Sequence, residues 1–283
     1  MTTASPTLAA PGLGRRLSRH PGFVVGAGLA LLLLLLAVFG PLLAGHPDIT
    51  HYDNQIAAPS VHHWLGTDDA GRDELARTVA GARTTLGAAV LVFALTTVIG
   101  VAVGVLCGFA GGVVDAVLSR VIDVLLGLPS QVLALAVVGV LGPGFGHLLL
   151  AVTVAGWASL AKLSRSYTLG SRDRPDVLAA AMAGVPRARV VVGHVLPGVA
   201  AQALVAATLG LGDTILTLAG LSFLGLGVQP PTAEWGSMLN GSRLFDTAAP
   251  WLLIGPGVGI VAAVAAATLI SDALRDCTDP DRA

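Results

Sequence analysis

The sequence predicts an all-α, polytopic membrane protein with six transmembrane helices. Three observations carry that prediction. The chain is 54% hydrophobic and only 12% charged, with a mean hydropathy of +0.80, whereas a soluble domain carries about a quarter charged residues. It contains six apolar stretches, all but the short fourth long enough to cross a ~30 Å hydrocarbon core, which takes about 20 residues. Its cationic residues fall unequally on the two sides those stretches define.

The stretches run in order. The first is Phe23 to Leu43, with a leucine run at Leu31–Leu36. The others are Leu86 to Ala110, Val117 to Leu141, Leu148 to Leu163, Val199 to Leu226 and Pro250 to Ile270. Arg15, Arg16 and Arg19 precede the first stretch, as in a secretory signal, and Arg15-Arg16 has the look of a twin-arginine export signal. The apolar run is too long for either and further spans follow, so it reads as an uncleaved anchor. With the N-terminus inside, twelve cationic residues lie on the cytoplasmic side (Arg15, Arg16, Arg19, Arg120, Lys162, Arg165, Arg172, Arg174, Arg187, Arg189, Arg275, Arg282). Only four, Arg72, Arg77, Arg83 and Arg243, lie outside. An even number of spans returns the C-terminus to the cytoplasm.

This divides the chain into a cytoplasmic tail (1–22), an anchor helix (23–43), an extracytoplasmic segment (44–85), a five-helix core (86–274) and a cytoplasmic tail (275–283). The core contains the longest internal cytoplasmic segment, 166–198. There Pro175-Asp176 opens a short helix, with Asp176 able to cap exposed N–H groups. Val177 to Ala183 forms it, and Gly184 ends it in the left-handed conformation. Pro186 suits the first turn of a second helix, Arg187 to Val195, which leads through Pro197-Gly198 into the fifth span. Two readings of this helix–Gly–helix loop stand side by side: a connector on the lipid surface held by Arg187 and Arg189, or a docking element whose small side chains admit another surface.

Charges within spans narrow the chemistry. Asp213 lies inside the fifth span, where a carboxylate costs roughly 2.5–3.5 kcal/mol on insertion scales and so faces a cavity or a partner. It is a candidate for lining a pathway; a structural hydrogen bond to a neighbouring helix is the alternative. Arg120 and Asp123 share a helix face and suggest an interfacial ion pair. Asp272, Arg275 and Asp276 suggest the same after the sixth span. Gly100, Gly104 and Gly108 repeat every four residues, predicting a face that packs closely on a helix of this chain or of a partner. The stretch Leu218 to Gly236, LAGLSFLGLGVQPPTAEWG, reads as the outer exit of the fifth span. Gly225 and Gly227 end the helix, Pro230-Pro231 forbid its continuation, and Trp235 is suited to the membrane–water boundary. Glu234 either touches a partner outside or caps a turn.

Several activities lack their residues. A P-loop needs Gly-x-x-x-x-Gly-Lys-Ser/Thr, but the only lysine, Lys162, follows Ala161. There is no HExxH, CxxC or GxSxG, and a net charge of −1 provides no nucleic-acid footprint. Cys107 lies in an apolar run and Cys277 in a polar tail, a poor basis for a disulfide or metal site. The His62-His63 pair offers donors suited to Ni(II), although a solvated loop pair is the plainer reading.

Four separated motifs resemble one family, the bacterial ABC importer permeases of the dipeptide/oligopeptide/nickel class, C-type subunit. They are His63-Trp64-Leu65-Gly66-Thr67-Asp68 with Gly71-Arg72-Asp73 and Gly81-Ala82-Arg83; Ala179-Ala180, Gly184 and His194-Val195-Leu196-Pro197; Leu221 to Gly227 with Pro230-Pro231 and Glu234-Trp235-Gly236; and Leu274-Arg275-Asp276 with Asp279-Pro280. The resemblance spans nearly the whole chain and implies a type I ABC importer permease fold. It makes the loop around Leu178, Ala179, Ala180, Gly184, Arg187 and Pro197 an ATPase-coupling element. Leu178 stands where the family has Glu, and Ala181 where Arg or Lys is frequent, which bears on one polar contact. The resemblance further implies a sister permease subunit, two ATP-binding subunits that carry ATP and Mg, and an extracytoplasmic solute-binding protein near Glu234 and Trp235. No cofactor is expected on this chain. The implied setting is a bacterial inner membrane and the implied activity is alternating-access uptake of peptides or nickel. A self-sufficient secondary transporter or channel is the rival, with Asp213 and its glycines as foothold; the helix–Gly–helix loop separates the two, since such a transporter has no use for it. An intramembrane enzyme lacks paired catalytic residues.

Overall fold

The computed structural model describes residues 13–43 and 45–278. The Asp279-Pro280 motif and Arg282 lie outside the described residues, as does the side chain of Arg15. Among the described residues every regular element is a helix, apart from one isolated bridge between Thr67 and Asp73.

After a short turn α1 (Leu13–Leu17), the anchor α2 (Pro21–Leu43) exposes most of its leucine run, Leu31 at 55% and Leu34 at 57%, and buries Leu33 and Ala37. A helix apolar on all sides with one narrow packed stripe is built for lipid. The stripe rests on α3 (Glu74–Ala110) and α12 (Ile254–Thr278). Gly26 lets α2 approach Leu269 and Ile270, and Gly40 lets it approach Val79. The helix α3 starts twelve residues before the expected Leu86, because Asp73 caps it by accepting the Ala76 N–H at 2.8 Å.

The core of the fold is the pairing of α3 with α6 (Phe145–Ser171). The glycine stripe on α3 faces this helix of the same chain. A β-carbon on Gly104 would sit 2.5 Å from the Ala161 carbonyl and the Ser164 side chain, and one on Gly108 2.5 Å from Thr168. Close backbone approach of this kind replaces the hydrophobic drive that lipid does not supply.

Two expected spans are broken. The third divides into α4 (Gly112–Leu126) and α5 (Ser130–Leu141), bent by 93°. Gly127-Leu128-Pro129 lies at the bend, where proline has no N–H to give and restricts the residue before it. The fifth is interrupted at Gly210, between α9 (Leu196–Leu209) and α10 (Leu211–Phe223). Pro197-Gly198, expected to link the second loop helix (to Val195) to the fifth span (from Val199), lies instead within continuous helix. A π-turn over Val191–Val195 widens the backbone, and Leu196 N–H reaches the Val191 carbonyl. That widening moves the carbonyl with which the Pro197 ring would collide. Arg187–Leu209 is therefore one 23-residue apolar run. Among the described residues five helices are long and apolar enough to cross a membrane, six if the bent pair α4–α5 is one span.

The membrane-edge ion pairs also differ. Asp123 pairs with Lys162 on α6 at 2.8 Å and not with Arg120. Asp115 is held bidentately by Arg165 at 2.6 and 2.7 Å. A partner across the helix interface has better geometry than one three residues along the same helix. Asp272, Arg275 and Asp276 lie within the last turns of α12, not beyond it, and Asp276 approaches His20 at 3.7 Å.

Candidate functional site

Three regions hold the predicted site residues. The first is the loop between α6 and α9. Helix α7 (Pro175–Met182) ends as its sequence dictates: Gly184 is left-handed, with φ +74°, and donates to the Ala181 carbonyl, while Val185 donates to Ala180. This pair of bonds is a Schellman close, which satisfies the last carbonyls of the helix. Asp176 is not the cap. Its carboxylate takes both arms of the Arg174 guanidinium at 3.0 and 3.1 Å and lies 3.8 Å from His194. A fork-to-fork pair with a neighbouring arginine outcompetes the exposed backbone N–H groups of the helix end.

Below the loop is a small valine core, Val105, Val177, Val190, Val195 and Val199. It fixes α7 and α8 (Arg187–Val190) against the ends of α3 and α9. Arg172 adds a hydrogen bond to the Phe109 carbonyl and lies 5.9 Å above the Phe109 ring. Above that base the surface is open: Leu178 is 47% exposed and Met182 83%, four residues apart on one face, while Ala179, Gly184, Arg187 and Pro197 are also exposed and Ala180 is half-buried. A rigid base beneath an apolar, small-residue tip is a shape made for contact.

The second region is a cleft of about 580 Å³ bordered by α3, the α4–α5 bend, α6 and the α9–α10 break. Thr96, Ser130, Ser159, Asp213, Thr214 and Thr217 provide its polar groups among apolar walls. Asp213 is exposed into it from the first turn of α10, an end of a helix that favours negative charge. The interruption at Gly210 thus places a carboxylate and a helix N-terminus together in an open, mostly apolar cleft.

The third region is the far end of α10. Gly225, with φ +83°, ends that helix, and Leu226 donates back to Leu221. The residues that follow turn inward. Glu234 is 3% exposed and Trp235 1%, which overturns both the membrane-boundary position of Trp235 and an external contact through either residue. The Glu234 carboxylate caps α11 (Trp235–Ser242), accepting from Gly236 N–H at 2.9 Å and Ser237 N–H at 2.8 Å. Trp235 donates its indole N–H to the Thr78 carbonyl at 2.8 Å and fills a slot floored by Gly81 and Gly259.

Sequence reasoning missed the charged knot beside this slot. Asp68 accepts from the Arg72 side chain at 2.7 Å and lies 3.2 Å from Arg77, and all three are buried or nearly so. Arg77 goes on to donate to the Pro231 carbonyl at 3.1 Å, fastening the 44–85 segment to the α10–α11 connection. The four-residue spacing of Asp68 and Arg72, flanking the left-handed Gly71, was the available signal. His63 is engaged with Asp73 at 2.7 Å, and no cluster of three metal-ligating side chains occurs among the described residues.

Residues 100–283 match the family described as binding-protein-dependent transport system inner membrane component. Residues 13–59 match the N-terminal transmembrane domain of oligopeptide transport permease C. The chain is 37% identical over 267 residues to the dipeptide transport system permease protein DppC of Alkalihalophilus pseudofirmus, a match covering 94% of this chain and 88% of that protein. It is 38% identical over 252 residues to the nickel transport system permease protein NikC of Escherichia coli K12, covering 89% and 91%. It is 36% identical over 268 residues to the glutathione transport system permease protein GsiD of Escherichia coli O157:H7, covering 94% and 88%.

Proposed function

This chain belongs to the family of binding-protein-dependent transport system inner membrane components, and from that premise we propose that it forms half of the translocation pathway of an ATP-driven importer of small peptides. It is a permease subunit and a multi-pass membrane protein. The cargo reading rests on relatives whose names specify dipeptides and glutathione, with nickel as the named alternative.

The observation that carries the coupling role is the α7–Gly184–α8 tip. Its base is packed on five valines, and its apex exposes Leu178 and Met182. In the proposed mechanism, this tip docks on an ATP-hydrolysing subunit that holds ATP and Mg, two such subunits serving the complex. This chain holds neither. Closure of those subunits around ATP displaces the tip. The displacement reaches the pathway between this chain and a sister permease, whose wall here is the cleft around Asp213. A solute-binding protein delivers cargo on the opposite face. The chain lies in a bacterial inner membrane, with both termini in the cytoplasm.

Cysteine cross-linking tests the docking. With the ATPase subunits co-expressed, Met182→Cys cross-links to one of them through a short bifunctional thiol reagent, and the yield changes when ATP is trapped. A Met182→Cys variant that cross-links to no ATPase subunit, while Leu244→Cys on the opposite face does, overturns the assignment.

A further inference from the structure

One motif has no part in the coupling or pathway roles: Gly81-Ala82-Arg83. Gly81 admits the Trp235 ring, but Arg83 points elsewhere. It is exposed, and it makes no hydrogen bond or ion pair with another described residue. It stands at one end of a groove of about 790 Å³ enclosed by α2, α3, α10 and α12. Every other side chain lining that groove is apolar, and Ala37, Gly87, Ala89, Ala263 and Ala267 make it deep.

We propose that this groove is a binding site for one anionic phospholipid, with an acyl chain between the anchor helix α2 and the core and the headgroup phosphate on Arg83. Depth places the two parts of the lipid. Gly40, at the end of the apolar part of α2, touches Val79, one turn of α3 before Arg83. Arg83 therefore lies where hydrocarbon gives way to headgroups, the level at which a phospholipid carries its phosphate. From Arg83 to Ala94 the lining follows α3 for roughly 16 Å, about the depth of one leaflet of a ~30 Å core. A partner's transmembrane helix seated there would extend across both leaflets; an acyl chain occupies one. A guanidinium meets a phosphate with two parallel hydrogen bonds, and since Arg83 pairs with no carboxylate among the described residues, a headgroup without a cation of its own is the better counter-charge. The site is separate from the coupling loop and the Asp213 cleft. It rests only on the chain's spanning a membrane.

The test uses the full-length protein, with whatever subunits co-purify, in native mass spectrometry after titration with phosphatidylglycerol or phosphatidylcholine. One phosphatidylglycerol per chain is retained at least tenfold more strongly than phosphatidylcholine. Arg83→Ala lowers that retention at least tenfold, and Arg83→Lys by no more than threefold. Gly87→Leu, at a position where a β-carbon meets open space, fills the groove and lowers retention with Arg83 intact. Equal retention of the two lipids by the unmutated protein overturns the site, whatever the variants do to folding. So does undiminished retention in both Arg83→Ala and Gly87→Leu, or a photo-cross-linker at Gly87 that captures another protein chain in place of lipid.

Discussion

Thr85 and Glu234, 149 residues apart in the chain, meet in the interior: the threonine hydroxyl donates to the carboxylate at 3.2 Å and accepts the Trp235 N–H at 3.1 Å. This joins α3 to the start of α11 and closes the cap that Glu234 places on Gly236 and Ser237. An N-cap is worth about 1 kcal/mol, and leaving buried donors unpaired costs about 1–3 kcal/mol. Glu234→Ala is therefore expected to lower the melting temperature of the purified protein by several degrees, and Glu234→Gln, which keeps a carbonyl acceptor, by less. Unchanged melting of Glu234→Ala would show that the cap does not hold this end together.

Gly184 tests coupling without testing folding. Its φ of +74° disfavours a side chain, but a β-carbon there meets nothing within 4 Å. Gly184→Asp is expected to accumulate in the membrane at normal levels and to lose at least tenfold in uptake and in binding-protein-stimulated ATP hydrolysis. Gly184→Asn, which tolerates the left-handed region and adds no charge, should retain more activity. Normal uptake by Gly184→Asp would remove the tip from the coupling pathway.

Gly104 tests the α3–α6 pairing. A β-carbon would approach the Ala161 carbonyl and the Arg165 backbone nitrogen at 2.5 and 2.8 Å, and neither can swing away. Gly104→Val is expected to destabilise by about 3 kcal/mol or more, at the upper end of overpacking costs, and to reduce the amount of folded protein recovered. Recovery at wild-type levels would show that these helices separate more readily than their geometry indicates.

Topology is tested by labelling. Leu244, 87% exposed, and Arg187, also exposed, lie on opposite faces in the proposed orientation. Leu244→Cys in intact spheroplasts should react with an impermeant maleimide, and Arg187→Cys only after the membrane is opened. The reverse pattern inverts the chain in the membrane.

Asp213 tests the pathway. Asp213→Ala is expected to leave assembly and basal ATP hydrolysis within twofold and to cut uptake of peptides with a free amino terminus at least fivefold. Uptake indifferent to Asp213→Ala and to Asp213→Lys alike would reduce the residue to a structural role.

The sequence disclosed the parts of this protein that are decided locally. Gly184 and Gly225 end helices because no other residue so readily adopts a left-handed backbone, and both were legible from spacing alone. Contacts between distant segments were not. Trp235 has an amphipathic ring that suits a membrane boundary or a polar-edged slot equally. Gly81 and Gly259, far from it in sequence, decide for the slot. Arg120 and Asp123 had the right spacing for a pair, but Lys162 of α6 offered Asp123 a nearer partner. Hydropathy averages over bends, so it passed smoothly across Gly127–Pro129 and Gly210. The proline at 197 misled for the converse reason, since a π-turn accommodates it in a way that no composition rule registers.

That π-turn has a mechanical consequence. Because it carries the backbone past Pro197, Arg187–Leu209 is a continuous helical run of roughly 35 Å, with the exposed tip at one end and Gly210 at the other. In the proposed mechanism a push on the tip runs along this helix, past the proline, to the joint at Gly210. Three residues beyond that joint stands Asp213.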